Sequence, residues 1–270
     1  MHINRWITAL IALPFLILLI IKGSSTIFAF VAMIICAIAL GEYYAIVLQK
    51  HTPKISFYTN AMGYLAGILI VLLAHLGLFQ QVVVTISVTL LWTGFLSVLR
   101  FKRSPDAPDV AVKQIFGLLY IPLPLAFMVM LRNGNEGTLW IALLLWVIAS
   151  GDIGAFYIGS YLGRRKLCPA VSPKKTIEGA MGGIIANALS AVAFKLLFFK
   201  ALDWTEGFFF AIAIGTVGQV GDLFESEFKR VSGVKDSGKL LPGHGGILDR
   251  IDALLFAAPL AFVLREYLLS

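Results

Sequence analysis

Residues 138–161 read TLWIALLLWVIASGDIGAFYIGSY, an apolar run whose one charge, Asp152, lies well inside it. A helix rises about 1.5 Å per residue, so this run is long enough to cross roughly 30 Å of hydrocarbon. The rest of the chain has the same character. Of 270 residues, 59% are hydrophobic and 14% charged, and the mean hydropathy is +0.88. One soluble core of ordinary size does not hide that much apolar surface. Working outward from 138–161, polar punctuation separates apolar runs at 6–21, 26–48, 57–77, 81–99, 115–131, 178–199, 206–228 and 247–268. The expected fold is an all-α integral membrane protein, a polytopic bundle of about nine transmembrane helices. It forms a single membrane domain, 1–270, with N-terminal helices in 1–137 and the polar, chemistry-bearing loops in 138–270. Pro122 and Pro124 each remove a backbone donor and are expected to kink the fifth run. Arg5 followed by the run from Trp6 resembles a signal peptide, but its length, Pro14 and the span that follows at once favour a retained helix.

Charge supports this topology. With the N-terminus inside, 22 Lys and Arg divide unevenly: all but Lys22, Arg132, Lys195, Lys200 and Arg265 fall on the N-terminal side. That asymmetry is the positive-inside pattern, so the N-terminus and the two large loops are expected to be cytoplasmic. The net charge of +7 then reflects inner-face loops near anionic headgroups. No basic arm or nucleic-acid motif accompanies it, so nucleic acid is not an expected partner. Cys36 and Cys168 lie in different settings, which argues against a disulfide, and no metal-thiolate spacing exists.

The polar residues concentrate in 151–183 and 218–252. Asp222 and Glu225 are three apart near one helix end, and Asp249 and Asp252 have the same spacing at the start of the last run, so each pair shares a face. Carboxylates at membrane depth are costly and are usually paired, metal-bound or set in a wet cavity. Beside Lys229, Arg230, Lys235 and Lys239 they suit a divalent cation holding a polyphosphate, and hard oxygen donors with open positions are the Mg²⁺ style. Internal ion pairing with Arg250 is the plainer alternative. Gly243, Gly245 and Gly246 flank His244 ahead of the last helix, where backbone N–H groups favour phosphate. His244 itself reads as a phosphate ligand or proton donor, or as a structural imidazole. In the first loop, Asp152 sits among glycines. Ser172 and Thr176 read as helix caps or phosphate contacts, and Lys174 and Lys175 as topology charges or phosphate ligands. Glu42, inside the second run, is a candidate to line the same cavity.

The stretch SEFKR at 226–230, Lys235-Asp236, LPGHGG at 241–246 and DRID at 249–252 resembles the signature of the phosphatidate cytidylyltransferases, or CDP-diacylglycerol synthases. SPKKT at 172–176, with Glu178-Gly179, resembles that family's upstream motif. The resemblance implies a multi-span helical enzyme, a homodimer, that uses CTP and phosphatidate with Mg²⁺ and K⁺ as a candidate second cation. It implies cation ligands at Asp222 and Asp249, then Asp252 and Asp152. Catalytic roles are expected for Asp222, Asp249, Asp252, His244 and Lys229. Substrate contacts are expected from Ser172, Lys174, Lys175, Thr176, Arg230, Lys235, Gly245 and Gly246. A CTP-dependent enzyme acting on another lipid, such as a polyprenol kinase, is the nearest rival. A transporter with buried acids is the rival from another class. The Asp-Gly-x-x-Ala-Arg segment expected of CDP-alcohol phosphotransferases is absent.

Overall fold

A computed structural model describes residues 13–48, 53–240 and 245–269. His244 and Gly243, and the start of the first run with Arg5, lie outside the described residues. The chain divides into two compact units, one of 1–133 with 231–250 and one of 134–230 with 251–270. That 231–250 belongs with the N-terminal helices was not legible in the order of the chain.

In the first unit, α1 (13–21) is followed by α2 (Ser25–Val47), α3 (Pro53–His75), α4 (Phe79–Arg100), α5 (Ala107–Tyr120) and α6 (Pro122–Asn133). α2 starts where Ser24 accepts a hydrogen bond from the Ile27 N–H, 3.2 Å away, so its side chain replaces a missing helical acceptor. The fifth run is longer than expected and is broken in two. Asp109 and Lys113 look like loop charges in the sequence, but they pair at 2.7 Å one helical turn apart within α5. The break comes at Ile121, since Pro122 lacks an N–H and disfavours helical geometry in the residue before it. α3 packs against α2, α4, α5 and α6, and Ala66, Ile70, Ala74, Val82, Leu118 and Ala126 form a buried core cluster there. Small residues in that cluster let helices approach closely, which is the main source of cohesion when lipid competes for apolar contact. Arg132 closes the far end by donating to the Gly23 carbonyl at 2.8 Å.

The second unit holds α7 (Gly137–Tyr161), the hairpin β1 (Lys166–Cys168) and β2 (Ser172–Thr176), α8 (Ile177–Leu197), α9 (Trp204–Val231) and most of α10 (Leu248–Val263), whose last turn, Leu264–Leu268, widens to a π-helix. α7 and α8 pack along each other extensively. A Cβ on Gly154 would come within 2.4 Å of the Ala186 Cβ, so only glycine allows this approach. The antiparallel hairpin, with Lys166 opposite Thr176 and Cys168 opposite Ser172, departs from the all-helical expectation. Asp152 falls within the helix that the 138–161 run predicts. It lies inside α7, more than two turns before the helix ends at Tyr161.

Six helical stretches among the described residues are long and apolar enough to cross a membrane: Ser25–Val47, Phe79–Arg100, Ala107–Asn133, Gly137–Tyr161, Ile177–Leu197 and Trp204–Val231. Their outward faces carry large apolar side chains such as Leu91, Phe95, Val98, Phe156 and Leu189. A soluble protein does not tolerate such continuous exposure. The chain is a multi-pass membrane protein built of helical bundles.

Candidate functional site

Within the second unit, a cavity of about 430 Å³ opens between the hairpin and the helices. Its walls are Asp152 and Phe156 of α7, Leu167 of β1, Lys174 and Lys175 of β2, Thr176, and Gln219 and Asp222 of α9. The local chain explains how these meet. Thr176 ends β2 and caps α8, its Oγ1 accepting from the Gly179 N–H at 3.1 Å. That cap fixes the position of the two lysines just before it. Glu178 then holds the start of the hairpin by accepting from the N–H groups of Arg164 at 3.0 Å and Arg165 at 3.1 Å. At the other side Arg230 donates through Nε to the Val171 carbonyl at 3.0 Å, tying the end of α9 to the hairpin turn. Arg230, expected to meet phosphate, is seen holding backbone.

Two ion pairs involve α9. Lys175 Nζ lies 2.6 Å from Asp222 Oδ2. Glu225, 1% exposed, forms an ion pair with Lys229 one turn along α9. Asp252 is half-buried and close enough to Asp222, Asp152 and Lys229 for each to act on its charge. Of the expected site residues, then, Asp152, Lys174, Lys175, Thr176 and Asp222 line one cavity, and Asp252 sits within electrostatic range of it. Ser172 lies in the hairpin, paired with Cys168 rather than on the cavity wall. Gln219 was not among the expected residues. Its Nε2 donates to the Ala180 carbonyl at 3.1 Å. The signal available for it was a lone amide in an apolar helix.

A second cluster lies in the first unit, around the glycine loop. The Glu42 carboxylate of α2 accepts from the Ile247 N–H at 3.0 Å, the Leu248 N–H at 2.8 Å and the Ser237 hydroxyl at 3.0 Å. The two N–H groups stand at the start of α10, so Glu42 caps a helix two hundred residues away in sequence. Asp249 Oδ2 accepts from the Ser237 N–H at 2.9 Å and the Gly246 N–H at 2.8 Å, and it shares the single proton of the Ser237 hydroxyl, 2.9 Å away, with Glu42. The two glycines have separate reasons. Gly245 has φ +82°, and a Cβ on Gly246 would fall 2.3 Å from both Glu42 Oε2 and Ser237 Oγ. Lys235 is exposed on this loop.

The sequence profile of the cytidylyltransferase family matches residues 3–268. The chain is 33% identical over 265 residues to a phosphatidate cytidylyltransferase of Staphylococcus epidermidis, covering 96% of this chain and 97% of that protein. It is likewise 33% identical over 262 residues to one from Staphylococcus aureus (strain COL), and 34% identical over 267 residues to one from Staphylococcus haemolyticus, with the same coverage. The chain belongs to the phosphatidate cytidylyltransferase family. It is therefore a member of a family of membrane-bound nucleotidyltransferases.

Family membership implies a divalent cation, and the donor set can be compared with that need. Among the described residues no three acidic, histidine or cysteine side chains converge as a closed metal cage. Mg²⁺ does not require one, because it retains water and uses one or two carboxylates plus substrate phosphates. The carboxylates of Asp222 and Asp252 are of that kind, and a lysine ammonium already stands against Asp222 where a cation would. The residues fit the ion.

Proposed function

We propose that this protein is a phosphatidate cytidylyltransferase, converting CTP and phosphatidate into CDP-diacylglycerol and pyrophosphate at the cytoplasmic face of the membrane. One observation carries the reading: a single cavity in which Lys174, Lys175, Asp152 and Asp222 share one wall system. Those side chains supply positive charge for phosphates and carboxylate oxygen for a cation, and the named relatives perform chemistry that needs both.

The reaction is an in-line nucleotidyl transfer. A phosphate oxygen of phosphatidate bonds to the α-phosphorus of CTP as the bond to the β-phosphate oxygen breaks, and pyrophosphate leaves. The attacking oxygen is already anionic near neutral pH, so no strong general base is required. Positioning and charge neutralisation do the work. Lys174 and Lys175 hold phosphate oxygens. Lys229, paired with Glu225, acts on the charge of Asp252, and Gln219 ties α9 to the first turn of α8, which Thr176 caps. Asp222 and Asp252, with Asp152 near, would hold Mg²⁺, which when bound neutralises phosphate oxygens and eases pyrophosphate departure. K⁺ is proposed as a second cation, and a homodimer with the N-terminus inside as the working form.

The test is incubation of purified protein in lipid with phosphatidate, CTP labelled in the cytosine ring, and Mg²⁺. A labelled lipid with equimolar pyrophosphate is expected. Label that stays in water, or a γ-phosphate moved to lipid instead, would overturn the assignment in favour of another CTP-dependent reaction.

A further inference from the structure

Asp222 does not face its cavity as a bare carboxylate. Lys175 Nζ lies 2.6 Å from its Oδ2, with the lysine and aspartate side chains 29% and 37% exposed. Those values matter in two ways. With the ammonium this close, a divalent ion arriving at the same carboxylate meets a like charge, so the two cations oppose each other there. The contact is also wet enough that the pair is weak and exchangeable, unlike a sealed internal ion pair. The backbone on both sides is fixed: β2 holds Lys175, and the next residue, buried Thr176, caps α8 through the Gly179 N–H. The lysine can therefore change partner by rotating its flexible stem without any movement of the fold. Lys174, its neighbour, lines the same cavity but is exposed.

We propose that Lys175 is a resident cation for Asp222, one that an arriving polyphosphate must draw away before a divalent cation can take the carboxylate. The consequence is an order of binding. Without nucleotide, the ammonium competes with the metal. When a triphosphate enters, its oxygens offer Lys175 a stronger partner, and Asp222 is released to the cation that the triphosphate brings with it. The divalent ion thus enters with its nucleotide rather than ahead of it. The inference rests on the proposed reaction only in naming the triphosphate.

The experiment measures Mn²⁺ uptake by the full-length protein in nanodiscs, with no nucleotide and no lipid substrate, by the loss of the free-ion electron paramagnetic resonance signal. Lys175→Met is expected to bind Mn²⁺ roughly tenfold more tightly than the unaltered protein, and Lys175→Gln to match it. Lys175→Arg keeps the charge and should stay within about twofold of the unaltered protein. Adding Asp222→Asn to Lys175→Met should abolish the gain. Lys174→Met controls for charge alone and should change affinity by no more than about twofold. A Lys175→Met protein no tighter than the original overturns the proposal, whether both bind the ion or neither does. So does a gain that Lys174→Met reproduces, or one that survives Asp222→Asn. Thermal melting of each variant shows that it is folded. Because no turnover is read, this result stands apart from the labelled-lipid assay: failure of the latter alone would refute the reaction and leave the ion exchange at Asp222 intact.

Discussion

The carboxylate of Glu42 accepts the backbone N–H of Leu248 at 2.8 Å, joining α2 to the first turn of α10 across 206 residues of sequence. With its bonds from Ile247 and Ser237, this one side chain shapes the glycine loop that precedes the helix. Glu42→Ala removes all three acceptor contacts. Leaving such donors unmet costs about 1–3 kcal/mol, so the melting midpoint in detergent should fall and cytidylyl transfer should drop at least roughly tenfold. Glu42→Gln should also fail, because its amide turns a donor toward donors. Full activity in Glu42→Gln would show that charge and acceptor count do not matter there.

Asp249 allows its two possible roles to be separated. Its Oδ2 organises Ser237 and Gly246, and an asparagine oxygen in the same place keeps those hydrogen bonds while losing the negative charge. Asp249→Asn is expected to insert and melt almost as before yet lose nearly all labelled-lipid formation. Near-normal turnover at saturating Mg²⁺ would confine Asp249 to shaping the loop.

Two glycines in helices make opposite predictions. A Cβ on Gly221 of α9 would meet the Asp252 carbonyl oxygen at 2.7 Å and the Phe256 Cβ at 2.9 Å. Gly221→Ala must therefore push back the turn of α10 that carries Asp252, and transfer should fall by more than about tenfold. Gly94 in α4 has nothing within 4 Å of its added Cβ. Gly94→Ala should leave activity alone and stabilise the helix by about 0.5–1 kcal/mol, read as a higher melting midpoint. Equal behaviour of the two variants would count against close packing at Gly221.

Lys174 is exposed and lines the cavity, so its removal should be felt by substrate rather than by the fold. Lys174→Ala is expected to raise KM for CTP or phosphatidate about fivefold, with little change in membrane insertion, since a charge-assisted contact to phosphate is lost. Steady-state kinetics varying each substrate in turn would show which one. Unchanged KM for both returns Lys174 to a purely topological charge.

The amino-acid order by itself determined that this is a multi-pass membrane protein, because apolar run length against bilayer thickness is a property of consecutive residues. It also identified the family, since SPKKT and the 226–252 motif are local strings that survive without any structure. What it misread were two local elements, a helical extension and a hairpin. Asp109 and Lys113 looked like loop until their pairing kept them in α5, and the residues after Tyr161 gave no sign of a hairpin. Glu42 could be flagged as an acid in an apolar run, but its task could not be read. Only tertiary structure decided that it caps α10, that Lys175 stands on Asp222, and that 231–250 folds with the N-terminal helices. The reason is physical. A hydrogen bond or ion pair depends on distance in space, and between residues two hundred apart that distance is set by how every intervening helix packs.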